Sequence, residues 1–216
     1  MATENHDLIE RTVVELSKVR SVFHSEADFQ HAFAWELHNL SPDLSIRLEY
    51  KPPQIESRIY LDIWASGKDA SYAIELKYKT RMLRVEAEET FHLLNQSAQD
   101  VGRYDFLKDI QRLEQIVVAR SNTTGYAILL TNDPSYWNPS KSNATVDASF
   151  RIHQGQTIKG EVGWGQGASK GTMKSREDAV VLKGTYVMDW KDYSAVDNST
   201  YGKFKYLLIK VMGLPS

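Results

Sequence analysis

The chain has 216 residues, of which 42% are hydrophobic and 25% charged, an ordinary globular composition that suits one well-cored domain and excludes an extended disordered chain. Its 26 lysines and arginines against 28 acids leave a net charge of -2, so any nucleic-acid contact must rest on a local basic surface. It has no cysteine, which excludes disulfides and thiolate-held zinc or iron–sulfur centres and leaves oxygen or imidazole as the only metal donors.

The first segment, "MATENHDLIERTVVEL", lacks the basic-then-apolar order of a signal peptide, and no apolar run approaches the roughly 18 residues of a membrane span. A cytoplasmic protein without a membrane partner is expected. Leu8, Thr12, Leu16, Val19 and Phe23 share one arc at helical spacing, which predicts an amphipathic helix over 5–23. "SEAD", residues 25–28, has the form of a capping box with Ser25 as N-cap, and Phe29, Phe33, Leu37 and Leu40 then trace an apolar stripe until "SPD" ends the helix. Glu36 stands inside that stripe, where an unpaired carboxylate costs several kcal/mol, so it is either paired, near a metal, or a rim residue reaching solvent. His31 and His38 lie away from the stripe and read as surface residues.

"LSIRLEY" reads as a strand. In "RIYLDIWASGKDASYAIELKYK", residues 58–79, two alternating runs flank a turn-rich "SGKDA" and predict a hairpin. Period-two alternation puts Asp62 on the face of Arg58, Tyr60 and Trp64, and puts Ala73, Glu75, Lys77 and Lys79 opposite Tyr72, Ile74, Leu76 and Tyr78. Asp62, Glu75 and Lys77 are thereby gathered on one face, a hard-oxygen arrangement suited to Mg²⁺ or Mn²⁺. Residues 96–119 follow as a long helix with Phe106, Leu107, Ile110, Leu113 and Val117 on one side, and "GYAILLT" as a buried strand. On that helix Gln99 and Arg103 continue the core-facing line, while Asp105, Asp109 and Arg112 fall on the other side and read as a solvated ion-pair row. Residues 136–216 hold short candidate strands in "ASFRIH", "AVVLKGTYVMDW" and "KFKYLLIKV".

The order helix, three strands, helix, strand over roughly the first 135 residues, with "LDI" supplying Asp62 and "IELK" supplying Glu75 and Lys77, resembles the PD-(D/E)xK nuclease superfamily, also called restriction-endonuclease-like. One departure is Leu61 where the motif carries a proline. The resemblance implies an α/β core with a mixed central sheet flanked by helices over 1–135, and the strand pattern of 136–216, with no Pro- or Ser-rich linker before it, reads as a β-rich extension packed on that core within one structural domain. It implies divalent-metal-dependent hydrolysis of phosphodiester bonds, DNA before RNA, with Mg²⁺ or Mn²⁺ held by Asp62, Glu75 and Glu36. Lys77 is then either the base or the electrostatic stabiliser, and Gln99 a further catalytic group. Lys79, Arg81, Arg84, Arg103, Lys170 and Lys174 are the candidate nucleic-acid contacts. Two alternatives remain open, a non-catalytic nucleic-acid-binding module of the same fold and an unrelated α/β protein in which these charges form a structural network; a homodimer or a partner subunit is compatible with any of these readings.

Overall fold

The computed structural model describes residues 7–52, 60–87, 89–142 and 144–213. The expected strand start at Arg58 and Ile59 and the first two residues of the expected N-terminal helix lie outside them. The first helix, α1 (Leu8–Val19), is capped by Asp7, whose carboxylate accepts from Ile9 N at 3.0 Å. The second, α2 (Glu26–Leu40), begins at Ser25, whose side chain accepts from Asp28 N as the capping pattern predicts.

Three strands follow: β1 (Ser45–Tyr50), β2 (Leu61–Ser66) and β3 (Ser71–Lys79). A short hairpin of β4 (Leu83–Glu86) and β5 (Thr90–Leu93), not foreseen from the sequence, leads to α3 (Gln99–Ala119) and β6 (Thr123–Thr131). Beyond β6 come β7 (Thr157–Val162), the one-turn α4 (Lys170–Met173), β8 (Val180–Val187), β9 (Trp190–Ala195) and β10 (Lys203–Val211). The stretch "ASFRIH" forms a single 3₁₀ turn at Ala148–Phe150 in place of the expected strand, and "AVVLKGTYVMDW" divides between β8 and β9.

The central sheet has six strands in the order β1-β2-β3-β6-β10-β9. It is mixed: β3 and β6 are parallel, and every other neighbouring pair is antiparallel. The C-terminal strands β9 and β10 therefore complete the sheet itself, while β7 and β8 pair separately.

Alternation along β3 sorts its side chains as the sequence predicts. Ile74, Leu76 and Tyr78 join Ile9, Val13, Phe29, Phe33 and Leu37 in the core beneath α1 and α2, and Ala73 faces the α3 side. Helix α3 packs close because Gly125 of β6 has no side chain; a Cβ there would stand 3.1 Å from Leu113 Cβ and 3.2 Å from Val211 Cβ. The β7–β8 hairpin then covers the far side of α3, through Val180, Leu182 and Tyr186. Helix α3 is thus enclosed from two directions. Among the described residues no helix is long and apolar enough to cross a membrane.

Candidate active site

The sheet opens at Asp62. The β2–β3 ladder runs from Ser66↔Ser71 to Ile63↔Ile74 and stops there. Beyond it, the amides of Leu76 and Tyr78 donate to side chains: Leu76 N to Asp62 Oδ2 at 2.6 Å, and Tyr78 N to Glu26 Oε2 of α2 at 2.9 Å. On the other edge of β2, Leu48↔Ile63 and Tyr50↔Leu61 are paired but Glu49 and Asp62 between them are not. Gln30 of α2 fills that gap, its Nε2 donating to Asp62 O at 2.7 Å and to Glu49 Oε1 at 3.0 Å. Glu49 has a left-handed backbone, φ 49°, a conformation that costs a non-glycine residue about 1 kcal/mol and concentrates at functional sites. Strict alternation also fails here, since Leu61 packs with Trp64 on the α3 side while Ile63 packs on the other.

On the α3 face of β3, Glu75 is 2% exposed and accepts from Arg112 Nη1 at 2.8 Å. Lys77 Nζ lies 3.1 Å from Asp109 Oδ2, and Arg112 also bonds Asp109 Oδ1. The expected solvated row on α3 is therefore overturned for Asp109 and Arg112. Asp109 is buried and Arg112 only one-fifth exposed, because both turn toward β3, where Lys77 and Glu75 meet them. Asp105 instead pairs with Arg176 at 2.6 Å.

Electrostatically the cluster is short of positive charge. Burial raises the carboxyls of Asp62 and Asp109 above their ordinary values. It raises Glu75 well above, with the neighbouring carboxylates of Asp109 and Asp62 adding to it against the opposing charge of Arg112. Burial pulls Lys77 down, but Asp109, Glu26, Asp62 and Glu75 together hold it above the usual lysine range, as an ammonium. Asp62, Glu75 and Lys77 thus share one electrostatic neighbourhood with Glu26 of the capping box and with Asp109 and Arg112 of the expected solvated row.

Glu36 does not join them. It is half-buried on α2 and makes no hydrogen bond or ion pair with another described residue. The helix end that meets the sheet opening is the N-terminal one, where Glu26 and Gln30 lie; Glu36 is about 9 Å further along the axis than Gln30 at 1.5 Å per residue. Gln99 is turned to Asp133, its Nε2 donating to Oδ2 at 2.8 Å. Arg103 is buried, bonded to Asp147 at 2.6 Å and Ser135 O at 2.7 Å, and so spends its donors within the fold.

The other basic candidates stay at the surface. Lys79 is half-buried, and Lys170 and Lys174 are exposed; none has an ion-pair partner among the described residues. Arg84 is exposed and paired with Glu86 at 2.6 Å.

Among the described residues, no group of three or more His, Asp or Glu side chains forms a cage that could hold a metal ion. Asp62 and Glu75 are two carboxylates of this shared neighbourhood, and a cation such as Mg²⁺, which keeps several waters, takes one or two protein carboxylates. No family model, no curated protein and no solved structure matches the chain.

Proposed function

We propose that the protein is a divalent-metal-dependent nuclease of the PD-(D/E)xK type, hydrolysing phosphodiester bonds, with DNA the expected substrate. The observation that carries this reading is the break in the β2–β3 ladder, where Asp62 replaces a strand partner and stands in one field with the buried Glu75 and Lys77. The strand order β1-β2-β3-β6, with β3 and β6 parallel, supports a restriction-endonuclease-like core. Asp62 and Glu75 would hold Mg²⁺ or Mn²⁺, which supplies phosphate neutralisation and a bound water of lowered pKa.

The chain's own groups do the rest. Arg112 fixes the Glu75 carboxylate and Asp109 fixes the Lys77 ammonium, so both strand residues are oriented before substrate arrives. Lys77 is presented as a cation, suited to orienting the attacking water and stabilising charge that develops on the phosphate oxygens. Gln30 and Leu76 N hold Asp62 from two sides.

One observation favours a second reading. Glu75 and Lys77 already have partners in Arg112 and Asp109, as a purely structural network would. Thermal unfolding with Mn²⁺ separates the two. For the nuclease, saturating Mn²⁺ raises Tm by about 5–10 °C, the size of one-site stabilisation in a chain of this length, and Asp62→Asn removes the shift while keeping an acceptor for Leu76 N. A Tm unmoved by Mn²⁺ favours the structural network.

A further inference from the structure

Two residues past the end of β3, Arg81 lines a cavity of about 420 Å³ together with Gln99, Asp133, Ser135, Thr200 and Tyr201. The cavity lies at the C-terminal ends of the parallel strands β3 and β6, where open α/β sheets bind ligands. Its walls are fixed from beneath. Asn132, fully buried, accepts from Arg81 N at 2.7 Å and donates to Arg81 O at 3.3 Å and Tyr201 O at 2.9 Å. Gly202 closes the turn behind Tyr201 so tightly that a Cβ there would overlap Asp197.

On that support the Arg81 guanidinium lies over the Tyr201 ring, 5.2 Å from its centroid, and donates to its hydroxyl at 3.3 Å. Asp133 stands 3.9 Å from Arg81, its carboxylate held by Gln99 at 2.8 Å and by Ser135 N at 3.0 Å. One guanidinium against one carboxylate leaves little net attraction for a free anion. A cation set against an aromatic ring, with a donor and an acceptor at its rim, fits a nucleobase instead.

We infer that the Arg81–Tyr201 cavity is a subsite for one unpaired nucleobase of the strand whose phosphodiester lies at Lys77. Arg81 is at most about 14 Å from Lys77 along the chain, so both positions fall within one short single-stranded segment. The inference rests on the nuclease reading and names part of its substrate: an unstacked, single-stranded stretch next to the scissile bond.

The test is binding of a short single-stranded oligonucleotide in EDTA, with 2-aminopurine moved through successive positions, run for deoxy- and ribo-oligomers. Wild type should quench the probe at a single position in whichever backbone it binds. Tyr201→Ala and Arg81→Ala should each lose about tenfold in affinity, the size of one base–aromatic stack, while Tyr201→Phe keeps it. Should Tyr201→Ala melt early, Arg81→Ala carries the comparison, because the bonds from Asn132 reach its backbone alone.

Equal affinity in wild type and both variants, no binding by wild type, or displacement of the oligomer by inorganic phosphate as readily as by a nucleotide would overturn the subsite. Cleavage assays with Mn²⁺ run in parallel separate the two readings. Tyr201-dependent binding without cleavage sinks the nuclease alone, and cleavage with Tyr201-independent binding sinks the subsite alone.

Discussion

Glu26 and Glu36 stand ten residues apart on α2, about 15 Å along its axis, and only the first meets the opened sheet through Tyr78 N. This fixes opposite expectations for two chemically identical substitutions. Glu26→Gln keeps an acceptor for Tyr78 N but removes a charge that acts on both Asp62 and Lys77, and should weaken Mn²⁺ binding several-fold in a Mn²⁺ titration. Glu36→Gln should leave Mn²⁺ affinity unchanged; a loss there equal to that of Glu26→Gln would restore Glu36 to the site. Glu26 does not stand out in the sequence because it sits inside the capping box, where a first-turn acid is expected to face solvent. Glu36 does stand out because a stripe projected on a helical wheel gives angle but no height.

Helix α3 organises the molecule, since the sheet packs on one side of it and the β7–β8 hairpin on the other. Two buried ties hold that second side. Glu114 accepts from Lys183 N, Gly184 N and Tyr186 Oη at 2.7–3.0 Å, fixing the edge of β8. Removing it leaves three donors unsatisfied, at a cost of about 3 kcal/mol, so Glu114→Ala should lower Tm by about 6–12 °C. A melting point within a degree of wild type would contradict that role.

The other tie is Asp147, which accepts from Arg103 and from Thr145, both at 2.6 Å. Burial works to raise its carboxyl, but the Thr145 hydrogen bond and the charges of Arg103 and Arg151 hold it below its ordinary 3.8. A depressed carboxyl contributes stability that is complete above its unfolded value and lost as pH falls through the folded one. Below about pH 4, therefore, Asp147→Asn should show a flatter fall of Tm with acid than wild type. Parallel curves would contradict the tie.

Across the whole molecule, the alternating runs were legible because one face of β3 meets α1 and α2 and the other meets α3, so period two survives intact from Tyr72 to Tyr78. The helix boundaries were legible where caps are explicit, as at Ser25. Asp109 and Arg112 were not, because their partners Lys77 and Glu75 lie on β3, and an apolar stripe gives no sign of charged pairs on the sheet-facing side. The gap at Asp62 was not legible either, since Gln30 and Glu49 close it from distant parts of the chain. Nor did the strand pattern of residues 136–216 reveal that β9 and β10 complete the central sheet while β7 and β8 cover α3.

The central claim is that Asp62, Glu75 and Lys77 form a metal-dependent phosphodiesterase site, and cleavage of plasmid, linear and single-stranded DNA by wild type and Lys77→Ala tests it most directly. Lys77 is not a metal ligand in this account, so its loss should leave Mn²⁺ binding in place while turnover falls by about 10²-fold or more. Wild type should cleave with Mg²⁺ or Mn²⁺ and not in EDTA, and cleavage should collapse in Lys77→Ala. Cleavage that survives EDTA, equal rates in wild type and Lys77→Ala, or no cleavage of any of the three substrates would contradict it.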